Sequence, residues 1–229
     1  RQIADKLVPY LVEMNYNYVE IMPLCEYPLD ASWGYQITGY YSLTGRYGDA
    51  EDFRYFTKAM HDAGIGVIMD WVPGHFCRDD HGLREFDGGP LYESSNAKKA
   101  DNPGWGTLNF DFTKPQVISY MISNAVFWLD CYGVDGLRVD AVASMLYLNY
   151  GKEDGQWITN KYGGNENLDA IEFFKHLNSI FKKDAAKVPV QAPVPGKGIP
   201  TNNNKAINNP LEPAFSFNFS PPLFPFSMQ

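Results

Sequence analysis

Along residues 1–181 the apolar positions switch repeatedly between a helical period and short continuous runs. Ile3, Leu7, Tyr10, Leu11 and Met14 recur at helical spacing, and Tyr18–Leu24 then reads as a buried strand. A loop with Trp33-Gly34-Tyr35-Gln36 and a short β-like run at Tyr40-Tyr41 leads to a helix with Phe53, Phe56, Met60 and Ala63 on one face, stopped by Gly64. Gly66–Val72 is a second strand, followed by a stretch of about 40 residues without a strong period, too long to be a mere connection and therefore expected to be functional. Thr113 as N-cap and Pro115 in the first turn open the next helix, whose stripe is Ile118, Met121, Ile122, Ala125 and Leu129 and whose stop is Gly133. Val134–Asp140 is a third strand, and Leu168, Ile171, Phe174 and Leu177 mark a last helix. Alternating strands and helices give an α/β class. The pattern leaves an open doubly wound sheet and a (β/α) barrel as alternatives, and no G-x-G-x-x-G or Walker motif supports nucleotide binding.

The pattern ends near Lys182. Residues 182–229 hold nine of the 16 prolines and carry a net +3 of the chain's −8, so the two parts are expected to be a globular segment over 1–181 and a Pro/Asn-rich irregular tail over 182–229. The acidic balance argues against nucleic acid as a partner. No apolar run is long enough to span a membrane. Cys25, Cys77 and Cys131, odd in number and far apart, suggest free thiols in a reducing, cytoplasmic setting rather than a disulfide framework. An aromatic content of 15% hints at stacking against a flat ligand such as a sugar.

Two acids stand at strand ends, Asp70 and Asp140. Arg138, two residues before Asp140, projects from the same face of its strand. A guanidinium beside a carboxylate is expected to keep it ionised, as a nucleophile requires. His75, five residues past Asp70, is placed to donate to a bound hydroxyl. The alternative is structural: an Arg138–Asp140 ion pair, Asp70 capping a loop, and His81 a solvated loop histidine, since His75, His81, Asp79 and Asp80 match no standard metal spacing.

Taken together, Trp33–Tyr41, Asp70-Trp71-Val72-Pro73-Gly74-His75-Phe76, Glu85-Phe86-Asp87-Gly88, Trp105–Asn109, Gly136–Tyr147 and Gly163–Leu168 resemble the α-amylase superfamily, and within it the glycogen (1,4-α-glucan) branching enzymes. The resemblance runs to about Phe181. It implies a (β/α)8 TIM-barrel fold, here a partial barrel of about four βα units. It also implies Asp140 as the catalytic nucleophile and Tyr35, Asp70, His75 and Arg138 as substrate-binding residues. The implied substrate is an α-1,4-glucan, cleaved and rejoined as α-1,6 branches by retaining transfer, with no metal or organic cofactor. Ala141-Val142-Ala143-Ser144-Met145 favours branching over a hydrolase of the same superfamily.

In that family the acid/base glutamate ends the strand after the last helix read here. The tail offers only Glu212, flanked by Pro210 and Pro213, which is poor strand sequence. The expectation is therefore a truncated barrel half, inactive alone, with a non-catalytic glucan-binding fragment as the alternative. Open sheet edges make self-association an expected liability.

Overall fold

The computed structural model describes residues 1–185, with side chains through Phe181. In chain order its elements are α1 (Gln2–Glu13), β1 (Tyr18–Ile21), β2 (Cys25–Glu26), β3 (Gly39–Leu43), α2 (Ala50–Asp62), β4 (Gly66–Trp71) and β5 (His75–Phe76). They continue with α3 (Ala97–Ala100), β6 (Asp101–Asn102), β7 (Thr107–Asn109), α4 (Pro115–Tyr132), β8 (Gly136–Val139), α5 (Val142–Leu146) and α6 (Leu168–Ala185). Apart from the last turn of α6, the expected tail lies outside the described residues, as does Glu212.

The central sheet is parallel, in the order β1-β4-β8. It has three strands against four long helices because the segment opens on a helix. Val67, Met69, Trp71 and Leu137, which share one face of the sheet, are buried, whereas Ile68 and Arg138 on the other face are only partly so. Strand β1, expected to be a buried strand, exposes Tyr18 and Glu20. Helix α2 begins with a capping box in which Asp49 and Asp52 satisfy each other's backbone donors. Helix α4 ends at Gly133, whose φ of +68° is the left-handed conformation glycine adopts without strain.

Four local expectations change. On α1 only Ala4 and Leu11 are buried; Ile3, Tyr10 and Met14 are exposed, because no described element covers that side of the helix. On α4 the buried face is Val117, Met121, Asn124, Ala125, Trp128 and Tyr132, rotated from the stripe read in the sequence. Thr113 is not its N-cap: the hydroxyl donates to Asp111 Oδ1 at 2.6 Å, and Lys114 occupies the cap position. The stretch expected to be a loop before α4 folds into a small antiparallel sheet, ordered β5-β7-β6.

One buried polar side chain ties these layers together. Asn124, fully buried on α4, accepts from Trp71 Nε1 at 2.7 Å and donates to the Tyr40 carbonyl at 2.6 Å. The Tyr40 hydroxyl in turn donates to the His75 carbonyl at 2.6 Å. Asn124→Ala strands both the Trp71 donor and the Tyr40 acceptor in the core and is expected to cost about 2–4 kcal/mol. Urea denaturation should show a lower midpoint with an unchanged slope.

Candidate active site

The parallel register places Asp70 on β4 directly opposite Arg138 on β8. Both side chains therefore leave the same face of the sheet, and Arg138 Nη1 meets both oxygens of Asp70, at 2.8 and 2.9 Å. Asp140 follows the end of β8, its N–H donating to the Trp71 carbonyl at 2.8 Å in continuation of the ladder. Its Oδ1 takes the same Arg138 nitrogen at 2.9 Å. One guanidinium nitrogen thus joins two carboxylates from adjacent strands. The Tyr35 hydroxyl completes the cluster, donating to Asp70 Oδ2 at 2.7 Å. Gly34 makes that reach possible: its φ is +92°, and a Cβ there would lie 2.8 Å from the Pro23 carbonyl oxygen.

The electrostatics depart from the sequence expectation. Arg138 does not keep Asp140 at an ordinary carboxylate pKa. Burial, and after it the charge of Asp70, push the Asp140 carboxyl up to about 6, and Arg138 only partly opposes them. The reason is the sharing, since the guanidinium is already engaged by both oxygens of Asp70. Asp140 is still largely ionised at neutral pH. For Arg138 burial alone would lower the pKa, but hydrogen bonding to Asp70 and the two carboxylate charges raise it further. Burial, and next the Asp70 hydrogen bond, hold Tyr35 protonated by raising its phenol pKa.

His75 is also corrected. It is buried, and Nε2 lies 3.0 Å from the Tyr35 carbonyl, which can only accept. Nε2 therefore carries the proton and is occupied; Nδ1 is left as a bare acceptor with no partner among the described residues. Burial lowers its pKa to about 4, so the ring is neutral. His75 thus spends its one ring N–H on the Tyr35 carbonyl and does not offer the donor expected from its position. His81 is exposed, and no group of three potential metal ligands occurs among the described residues.

The structure adds residues that the sequence reading did not place here. Trp105, from the small sheet, packs against the His75 ring at 5.1 Å between centroids, and its carbonyl accepts from Gln36 Nε2 at 3.2 Å. Ala141 follows Asp140 at φ +50°, a conformation costly for a residue with a Cβ, and its N–H hydrogen-bonds the Asp140 carboxylate. Nothing in an alanine announces this. Asn124 was more legible, as a polar residue amid Met121, Ala125 and Trp128.

Residues 1–94 match the family model described as alpha amylase, catalytic domain. The chain is 62% identical over 180 residues to the 1,4-alpha-glucan branching enzyme GlgB of Halothermothrix orenii, covering 79% of this chain and 28% of that protein. It is 56% identical over 182 residues to the enzyme of that name from Butyrivibrio fibrisolvens, covering 80% of this chain and 28% of the relative. In sequence the chain is similar to the α-amylase superfamily and, within it, to branching enzymes. It spans a little over a quarter of the length of these relatives. Solved structures agree on the superfamily's fold: one of an α-amylase type from Salmonella typhimurium superposes with a TM-score of 0.60 at 24% identity, over 80% of this chain and 27% of that one. The α-amylase of Geobacillus thermoleovorans gives 0.54 at 18%, over 78% and 37%. Within this superfamily the β1-β4-β8 sheet and its helices are part of a (β/α) barrel.

The two buried groups make opposite contributions to acid stability. His75 binds its proton less readily folded than unfolded, so its stabilising effect is lost as pH falls from 6.5 towards 4. Asp140 binds its proton more readily folded, so its effect is lost as pH rises from about 4 to about 6. In the wild type the two largely offset. Asp140→Asn should uncover the histidine, and stability should then fall by about 3 kcal/mol between pH 6.5 and 4. Denaturation at a series of pH values checks this.

Proposed function

We propose that residues 1–181 are the part of a 1,4-α-glucan branching enzyme that holds the nucleophile. The carrying observation is the pair of carboxylates, Asp70 and Asp140, joined by one Arg138 nitrogen at the ends of adjacent parallel strands. The high identity to curated branching enzymes supplies the substrate class, an α-1,4-linked glucan.

In this reading Asp140 attacks the anomeric carbon, the leaving glucan oxygen takes a proton from an acid/base group that the described residues do not supply, and the chain is held as a glycosyl ester. A glucan 6-hydroxyl, giving its proton to that same group, then displaces Asp140, so two inversions leave an α-1,6 branch. Asp70 is unsuited to protonating the leaving oxygen. Both its oxygens accept from Arg138 and one also accepts from Tyr35, so its part is to hold Arg138 and to receive sugar hydroxyls. Among the described residues no other carboxyl joins this cluster, which favours glucan binding without turnover as the second reading. The thiols of Cys25, Cys77 and Cys131 are consistent with a cytoplasmic setting, and none of the three is in a disulfide. Among the described residues no helix is long and apolar enough to cross a membrane. The edge strands β1 and β8 are where self-association is to be sought.

A positioned acid contributes about 10²–10⁴-fold, so a substrate that leaves without a proton separates the nucleophile from the acid. Incubated with an α-glucosyl fluoride, the full chain should gain one glycosyl mass on Asp140, and Asp140→Asn should abolish it. Intact-mass and peptide spectrometry read the outcome. An adduct that persists in Asp140→Asn sinks the nucleophile assignment, whereas amylose retention on a column without any adduct favours the binding reading.

A further inference from the structure

A cleft of about 320 Å³ lies between the α3–β7 segment and the chain that follows α5. Gly74 and Met145 form part of its wall, but none of Tyr35, Asp70, Arg138 or Asp140 lines it. Lys98, Lys99, Lys152 and Lys161 do. We propose that this cleft is an anion site that takes a small phosphorylated sugar, the phosphate on the lysines and the sugar against Tyr147 and Tyr150.

The charge arrangement carries the argument. Among the described residues the lysine ion pairs belong to Lys58 and Lys175; none of the four cleft lysines has a carboxylate partner. Lys152 is half-buried, and its ammonium is held by the Lys98 carbonyl at 2.5 Å rather than by an acid. Burial lowers its pKa, with Asp101 acting against that. The carboxylates on the cleft wall are Asp111 and Asp169, and Asp111 is occupied by the N–H and hydroxyl of Thr113. Four ammonium groups and two carboxylates on one wall leave the cleft with a net positive charge, which a multiply charged anion neutralises most effectively. In a chain of net charge −8 such a concentration of lysines around one concavity is not a general property of its surface.

The shape selects the size of ligand. The volume is that of a small-molecule site. Tyr147 and Tyr150 are 41% and 37% exposed, and they offer ring faces and hydroxyls of the kind that receive a sugar. The same phosphate chemistry would admit inorganic phosphate, which lacks the tyrosine contacts. This site does not depend on the role proposed for Asp140.

The test is calorimetric titration of the full chain with glucose 6-phosphate, inorganic phosphate and glucose at two salt concentrations. Saturable binding of glucose 6-phosphate is expected, weaker at high salt, with phosphate weaker still and glucose silent. The double variant Lys98→Ala/Lys99→Ala should reduce affinity by about tenfold or more, the loss of one or two charge-assisted contacts. Lys152→Met should do the same, with melting curves confirming that each variant is folded. Asp140→Asn should bind as the wild type does. Phosphate binding as tightly as glucose 6-phosphate would overturn the sugar part of the proposal. No binding in the millimolar range, binding insensitive to both lysine variants, or binding lost in Asp140→Asn would overturn the site.

Discussion

The candidate site depends on a single guanidinium nitrogen shared by two carboxylates. Arg138 Nη1 lies within 2.9 Å of both Asp70 oxygens and of Asp140 Oδ1. Two buried like charges at this separation would repel strongly in a medium of low dielectric constant. The shared cation allows them to coexist, but it cannot satisfy both equally. Asp70 receives two contacts from Arg138 and a tyrosine hydroxyl; Asp140 receives one contact from Arg138 and the Ala141 N–H, and carries an elevated pKa. That inequality suits the roles proposed for them. A carboxylate saturated with donors is a poor nucleophile, while one less fully engaged retains a lone pair for attack.

The packing behind the site serves this geometry. A parallel sheet sets Asp70 opposite Arg138, and any slip of β8 by one residue would turn Arg138 to the other face. Asn124 joins α4 to Trp71, the neighbour of Asp70, and to Tyr40, which holds the His75 carbonyl. The backbone at Ala141 stores strain immediately after Asp140, a cost tolerated because its N–H is thereby aimed at the carboxylate. The other side of the sheet is less finished. Ile3 and Met22 are exposed, and a groove of about 670 Å³ runs past Ile21, Pro23, Leu43, Phe53 and Phe56.

The sequence by itself determined the α/β class and the order of the long helices and parallel strands, because apolar periodicity and glycine stops are local signals. It also brought Asp70, Arg138 and Asp140 forward, since an acid at the end of an apolar strand is conspicuous and i, i+2 spacing fixes a common face. It could not determine how one cation is divided between two acids, because that depends on the register of strands 68 residues apart. The pKa of Asp140 therefore came out opposite to the local expectation. The proton on His75 was likewise decided by a carbonyl 40 positions away. The stretch before α4, which has no period of its own, became a small sheet through pairings that bring Trp105 onto His75, and its Lys98 and Lys99 meet Lys152 and Lys161, from the chain after α5, at one cleft. These are interactions between residues distant in the chain, and only the tertiary structure decides them.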